Sequence, residues 1–161
     1  MRSAFALFLF MMFLISCGGG SSSTGEQGKN PYSTENKNES GNPTYDPHRG
    51  EGKWTAENVS VGATLDAALA ESGHKIQSVK CASCHKLTEE KLVGPGWKGV
   101  TNRRKPAWIM NFITNPDPMI DKDPAVQAQL ELCLVRMPNQ NLADEEARQV
   151  LEFMRQNDGV Q

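Results

Sequence analysis

The sequence of 161 residues lacks three features that would point to common classes of protein. No segment alternates apolar and polar residues convincingly, so no β-strand is predicted. The longest apolar run near the start, Ala4–Ile15, has about a dozen residues, which is too short to span a bilayer comfortably. The formal net charge is −2 at pH 7, and this negative total does not favour binding to nucleic acid.

Thiols and imidazoles are also scarce, with four cysteines and three histidines in the whole chain. Two of the histidines, His48 and His74, are isolated in the sequence. The third belongs to a short cluster that holds half of the cysteines, Cys81-Ala82-Ser83-Cys84-His85. The chemistry of the chain is therefore expected to centre on this cluster.

Two cysteines separated by two residues and followed directly by histidine form the attachment signature of a c-type haem. Cys81 and Cys84 lie about one helical turn apart, so both sulfurs can point from one face toward the two vinyl groups of a porphyrin. His85 can then present its imidazole to the iron as the proximal axial ligand. We expect one covalently bound haem c at this position.

Two other interpretations of the paired thiols stay open. A redox dithiol of the thioredoxin type should lie near a βαβ pattern, and none is visible. A zinc site would need two further ligands at suitable spacing, and the isolated histidines do not offer them. Both alternatives are less favoured than haem attachment.

The first 16 residues have the pattern of an export signal. Arg2 provides the positive charge and Ala4–Ile15 the apolar region. The signal ends in Leu-Ile-Ser before Cys17, which resembles a bacterial lipobox, so Cys17 would become the lipid-bearing N-terminus of the mature protein. The alternative is an ordinary cleaved signal peptide. Covalent haem attachment in bacteria takes place outside the cytoplasmic membrane, so both signals predict the cell envelope, on the periplasmic side, with the anchor in the inner or the outer membrane.

Residues 17–51 are predicted to be a lipid-anchored disordered linker, because they hold almost no aliphatic side chains with which to build a core. The folded domain is expected to occupy residues 52–161.

Cys133 is the one cysteine left after lipid and haem are assigned, which excludes a disulfide framework. It lies in an apolar helical pattern and is predicted to be a small buried side chain.

The domain has helical patterns throughout, so the predicted fold class is all-α. Apolar residues at three- and four-residue spacing from Leu65 to Ile76 lead into the cysteine pair. A second run begins at Pro106 and ends before Asn115-Pro116, and a third begins at Pro124. The last helix is predicted from Asp144 to about Asn157.

In order and approximate spacing, these features resemble a class I cytochrome c over nearly the whole domain. The matching elements are residues 73–85, Gly94-Pro95, residues 108–116, Met137-Pro138 and the final helix. The resemblance implies that Gly73 allows the first helix to cross the last one closely, against Val150, Phe153 and Met154. It also implies that the carbonyl of Pro95 accepts a hydrogen bond from His85.

The resemblance further implies that Met137 is the sixth ligand of the iron, since Met137-Pro138 looks like the family's axial methionine loop. Met119, which follows Asp117-Pro118 in a predicted loop, is the second candidate. Met110 and Met154 fall within helical patterns, where packing in the core is the usual role. A methionine ligand favours electron transfer, whereas a vacant site would allow gas binding or peroxide chemistry.

Two positions depart from the family pattern. Gln77 stands where the family often has an aromatic residue, so looser packing is expected near the helix crossing. Ala143 stands where a serine commonly caps the last helix, and Asn141 or Asp144 is expected to substitute.

The predicted function is one-electron transfer between respiratory redox partners, without catalysis. The chain from Gly73 to Met110 carries eight basic and two acidic side chains, and this surplus favours partners with an acidic docking surface. Four of these basic residues are close to the haem motif in sequence: Lys80, Lys86, Lys91 and Lys98. Two alternatives remain, a fixed electron-entry subunit of a larger oxidoreductase and a small haem peroxidase or gas-binding protein.

Overall fold

The computed structural model describes residues 45–161, so the predicted signal peptide, Cys17 and most of the predicted linker lie outside the described residues. Six helices are present in the described range: α1 Ala67–Lys80, α2 Val100–Arg103, α3 Pro106–Thr114, α4 Pro116–Lys122, α5 Pro124–Cys133 and α6 Asp144–Asn157. Within these residues there is no strand, only a single backbone bridge between His85 and Lys91. The all-α prediction is confirmed. No helix in the described range is long and apolar enough to cross a membrane.

Helices α1 and α6 form the main helix pair of the fold, and they meet at Gly73. A Cβ atom added at Gly73 would collide with the carbonyl group of Gln149 and would lie 2.9 Å from the Cβ atom of Phe153. The backbones can therefore approach this closely only because residue 73 has no side chain. On the α6 side, Val150 and Met154 are buried, as predicted for the crossing.

The side chain of Gln77 is also buried against this crossing, with 3 % of its surface exposed. The position thus belongs to the core without an aromatic ring, and looser packing there stays a prediction. The same region gains an aromatic contact that was not anticipated, because the imidazole of His74 stacks on Phe153 with the ring centroids 4.7 Å apart.

Helix α6 begins without a side-chain cap at Ala143. The backbone N–H of Ala143 instead donates to the Glu146 carboxylate at 2.9 Å, which is the reverse half of a capping box. The expectation that Asn141 or Asp144 would cap the helix is wrong, because Glu146 reaches back from the first turn to the free N–H.

Helix α4 was not expected, and Met119 lies in it rather than in a loop. Proline is tolerated in the first turn of a helix because the first four N–H groups have no partner within the helix. Pro116 and Pro118 both fall in that turn, so a sequence that looks like a loop forms a helix. Met119 is fully buried.

Residues 45–54 form an ordered segment, here called the strap, that packs on the helical domain. Asn111 on α3 holds its later part, accepting from the N–H of Trp54 at 2.9 Å and donating to the carbonyl oxygens of Trp54 and Arg49 at 3.0 Å. Tyr45 is buried at the other end of the strap and donates to Asp123. The final residues of the predicted linker thus belong to the folded domain, and the predicted boundary at residue 52 falls within the strap.

The end of α5 is more open than predicted. Cys133 is half-buried rather than buried. Beyond it, Leu134 has a left-handed backbone with φ of 59° and is 84 % exposed. Leu132 and Val135 are exposed as well. This apolar stretch leads directly into residues 134–143, here called the Met137 loop, which join α5 to α6.

Candidate functional site

The cysteine pair lies on a tight turn at the end of α1. Cys81 is the C-cap of the helix, and its N–H bonds to the carbonyl of Gln77 at 2.9 Å. The carbonyl of Cys81 in turn accepts from the N–H groups of Cys84 and His85, both at 3.0 Å. The three side chains of the motif are thereby held on one compact turn next to the α1–α6 crossing.

Both thiols are free, with Cys81 buried and Cys84 half-buried. Burial raises the pKa of the Cys81 thiol to about 11. At neutral pH this sulfur is therefore protonated, which does not suit a redox dithiol that relies on a reactive thiolate. Among residues 45–161, no group of three or more His, Cys, Asp or Glu side chains could hold a metal ion, so the described part of the chain supplies no zinc ligand set.

The imidazole of His85 is fixed by the backbone of Pro95. Its Nδ1 atom lies 2.8 Å from the Pro95 carbonyl oxygen, and since a carbonyl only accepts, Nδ1 carries the proton. Burial lowers the pKa of His85, and the bond to Pro95 opposes this shift only in part. The ring is thus neutral at physiological pH, and the lone pair of Nε2 is available to a metal. This is the donor arrangement that a histidine ligand of haem iron requires.

Gly94 provides the space in which the His85 ring lies. A Cβ atom added at Gly94 would come within 2.8 Å of Nδ1 and would clash with Cε1. The N–H of Gly94 also bonds to the carbonyl of Cys84 at 2.9 Å, so the Gly94-Pro95 turn is tied to the motif it faces. The residues present therefore fit a haem attached to the two thiols and ligated by the histidine.

Trp97 links this turn to the helix crossing, and the sequence analysis did not identify it. Its ring is buried, with its centroid 5.9 Å from that of His85 and 6.5 Å from that of Phe153. The signal that could have identified Trp97 is a large aromatic residue two positions after Pro95.

Residues at the C-terminal end of α6 hold the loop that follows the motif. Asn157 donates to the carbonyl of Leu87 at 3.0 Å and accepts from Lys98 at 2.6 Å. Asp158 accepts from the N–H groups of Gly99 and Thr101, at 2.5 and 2.8 Å, and from the Thr101 hydroxyl at 2.6 Å. The loop that carries Gly94 and Pro95 is thus fastened on both sides by residues at the end of α6. A pair Asn-Asp after a predicted helix could have suggested such capping contacts, but not their partners.

The four methionines of the described chain divide into two groups. Met110, Met119 and Met154 are in helices and at most 3 % exposed, so their side chains are part of the core. Met137 is the only one outside a helix, and it is half-buried in the Met137 loop. Met119, the second ligand candidate, packs beside Gly50 of the strap instead.

The basic residues near the motif are mostly bonded within the chain. Lys86 pairs with Glu90 at 2.7 Å and Lys80 with Glu146 at 3.4 Å. The Lys98 side chain donates to the backbone carbonyl of Asn157 at 2.6 Å. Lys91 is exposed, and in the described part of the chain it takes part in no ion pair, so its side chain is accessible to an external group.

Comparison with known structures gives consistent results. A cytochrome c from Rhodothermus marinus is 36 % identical, with a TM-score of 0.61 over 65 % of this chain and 89 % of that chain. An engineered form of that cytochrome, Rma TDE, is 36 % identical, with a TM-score of 0.60 over 65 % of this chain and 90 % of its own. A third structure, Rma TDE bound to a carbene intermediate, is also 36 % identical, with a TM-score of 0.57 over 65 % of this chain and 89 % of its own. No curated protein matches the chain.

The family model for cytochrome c matches residues 70–158, from α1 to the end of α6. This range is more than half of the chain and contains the cysteine pair, His85, Pro95 and Met137. Haem-based electron transfer is the typical activity of this family. The chain belongs to the cytochrome c family and carries a covalently bound haem c.

Proposed function

We propose that this protein is a one-electron carrier with a single haem, ligated by His85 and Met137. The chain contains one Cys-x-x-Cys-His motif, which supports a single haem attached through Cys81 and Cys84. The haem iron supplies the one-electron couple, and the protein supplies its attachment, its ligands and its surroundings.

The observation that carries the proposal is the hydrogen bond between His85 and Pro95. Because Nδ1 donates to the Pro95 carbonyl, the lone pair of Nε2 is free to bind the iron. The same bond holds the ring from the side opposite to the metal. A histidine ligand held in this way gains basicity, because its N–H already donates to an acceptor.

Met137 is proposed as the second axial ligand by exclusion within the described chain. The other three methionines there are in the core, so their sulfurs are committed to packing. Pro138 restricts the backbone next to Met137 and so reduces the number of conformations that the loop must give up on ligation. A thioether ligand raises the reduction potential and leaves no site for an external substrate, which suits electron transfer rather than catalysis.

We further propose that the protein is exported and anchored by lipid at Cys17, on the periplasmic side of the inner or the outer membrane. The support is the apolar stretch Ala4–Ile15 and the sequence Leu-Ile-Ser that precedes the cysteine. Its partners would be redox proteins with acidic docking surfaces. They would be attracted by the basic segment from Gly73 to Met110, with Lys91 as a contact residue.

An absorption spectrum of the purified ferric protein tests the ligand set, with wild type beside Met137→Ala. Wild type should show the weak near-infrared band of methionine bound to ferric haem, and after reduction it should resist carbon monoxide. Met137→Ala should lose the band and bind the gas. A wild-type protein that lacks the band and binds carbon monoxide readily would contradict the proposal, and would favour a gas-binding or peroxidase function.

Extraction in mild detergent tests the role as a free carrier. A monomer that separates from other proteins supports a shuttle. Co-purification in a fixed ratio with a larger oxidoreductase would contradict it and favour an electron-entry subunit.

A further inference from the structure

Arg136, the residue directly before Met137, ties the Met137 loop to helix α4. Its guanidinium lies 3.2 Å from a carboxylate oxygen of Asp117 and 3.3 Å from one of Asp121. The two aspartates are four residues apart on α4, so both carboxylates lie on the same face of the helix. One side chain thereby bridges the loop to two points of a single helix.

Helix α4 is itself well anchored, so it can serve as a support. Met119 is fully buried between the strap and α3, where its sulfur and methyl group lie next to Gly50. Asp123, which follows the last residue of α4, caps α5 through the N–H groups of Ala125 and Val126 at 2.8 and 3.1 Å. A loop fastened to α4 is thus fastened to the core.

The Met137 loop has few other constraints on this side. Leu134, Val135 and Arg136 are exposed, and the left-handed backbone of Leu134 ends α5 just before them. The carboxylates of α4 are the contacts that Arg136 makes across the fold in the described chain. Because Met137 directly follows Arg136, movement of residue 136 also moves Met137.

We propose that Arg136 is a positioning residue for the methionine ligand: its bridges to Asp117 and Asp121 hold Met137 at the iron. This inference rests on the proposed function, since it assumes that Met137 is the ligand. The ion pairs make the closed arrangement of the loop more stable than the open one, in which the sulfur leaves the iron.

The size of the effect follows from the exposure of the pairs. The side chains of Arg136, Asp117 and Asp121 are 50, 65 and 67 % exposed, so each pair is worth little to overall stability. Such pairs shift a local equilibrium by a few-fold and are weakened by salt. The effect should therefore appear in the opening of the sixth site and not in the unfolding of the domain.

The test measures binding of imidazole to the ferric haem protein, because imidazole binds only when the methionine has left. Arg136→Gln should increase the apparent affinity for imidazole about three- to tenfold, the range that two exposed pairs can supply. It should also weaken the near-infrared band. The double variant Asp117→Asn/Asp121→Asn should have the same effect from the other side of the bridges, and Arg136→Lys should restore part of the wild-type behaviour.

The control is Lys75→Gln, which removes the same charge and breaks a comparably exposed pair with Glu71 at 2.9 Å on α1. It should leave the imidazole affinity unchanged. A second control is ionic strength. Added salt should raise the imidazole affinity of wild type toward that of Arg136→Gln, and should leave the affinity of Arg136→Gln itself unchanged.

Wild-type imidazole affinity in Arg136→Gln, with an unchanged band, would overturn the inference while leaving Met137 as the ligand. The Met137→Ala spectrum separates this result from failure of the proposed function. If wild type and Met137→Ala have the same spectrum and the same imidazole affinity, Met137 is not the ligand and both proposals fail.

Discussion

The phenol of Tyr45 donates a 2.5 Å hydrogen bond to the carboxylate of Asp123, which also accepts from the indole of Trp108 at 2.7 Å. The other oxygen of Asp123 caps α5. This carboxylate is 1 % exposed, so the four donors replace the water that it has lost. The strap, α3 and α5 thus meet at a single buried charge.

Replacing Tyr45 by phenylalanine should lower the free energy of unfolding by about 1.5–3 kcal/mol, the usual contribution of a hydrogen bond to a charged group. The ring still fills its space, so the loss isolates the hydroxyl. Denaturant unfolding of the haem protein measures the difference. Unchanged stability would show that the strap contributes nothing through this bond.

The same residue predicts how stability depends on alkaline pH. Burial, followed by the hydrogen bond to the Asp123 carboxylate, raises the pKa of Tyr45 far above its ordinary value. The folded protein therefore keeps a proton that the unfolded chain loses near pH 10, so this contribution is complete below pH 10 and falls as the pH rises further. Tyr45→Phe should lack this part of the alkaline decline. Parallel curves for the two proteins above pH 10 would contradict the prediction.

A second buried carboxylate, Glu152 on α6, predicts how the stability of the protein changes at acid pH. Burial by itself would raise its pKa, but hydrogen bonds from the N–H of Asp66 and from Arg148 and Arg155 outweigh that effect and hold the pKa below its ordinary value. Its contribution to stability is therefore present above about pH 4.5 and is lost as the pH falls through the lowered value.

Glu152→Gln should destabilise the protein by about 3–5 kcal/mol at pH 7, because it leaves the buried Arg155 without its countercharge. The difference from wild type should shrink as the pH falls below about 4.5, where wild type also loses the charge. Glu145→Gln is a suitable control on the same helix, because Glu145 is exposed. A difference that stays constant down to low pH would contradict the assigned ionisation.

Gly94→Ala and Gly73→Ala form a pair of substitutions with different expected effects, the first on the haem spectrum and the second on stability. At Gly94 the added methyl group meets the ring of His85, so it should displace the imidazole from Pro95. We expect a ferric spectrum with high-spin character and weaker histidine ligation, with little change in helix content. An unperturbed spectrum would show that the ring can move without loss of its ligand geometry.

At Gly73 the added methyl group meets the backbone of Gln149, so the two helices must move apart. We expect a loss of about 1–3 kcal/mol in the free energy of unfolding, the usual range for overpacking. The haem spectrum should remain that of wild type, since the iron ligands are not displaced. Unchanged stability in Gly73→Ala would contradict the close contact between the two backbones.

The sequence predicts helix α3, α5 and α6 well because each has a local start signal. Pro106 and Pro124 occupy the first position of their helices, and Asp144 begins a strong apolar stripe. The hydrogen bond between His85 and Pro95, expected from the family resemblance, is present, and its partners are only ten residues apart. Local order in the chain is enough to indicate these features.

The features that escaped prediction depend on contacts between distant residues. Tyr45 and Asp123 are 78 positions apart, and nothing near Tyr45 indicates a buried partner. Asp158 caps a turn at Gly99 that lies 59 positions earlier. Arg136 and Asp117 are 19 positions apart, and Asp117 lies in a helix that was not predicted. Composition and periodicity report on the local backbone, whereas these pairs depend on how the helices pack.

The contacts of Asn157 and Asp158 also set an order in time. A chain that is synthesised from its amino end presents Cys81, Cys84 and His85 before the residues that fasten the Gly94-Pro95 loop have been made. The α1–α6 pair must likewise wait for residues 144–157, since its contacts are distant in sequence. The thiols are therefore accessible during the interval in which the domain cannot yet close, and completion of the last turn of α6 ends that interval.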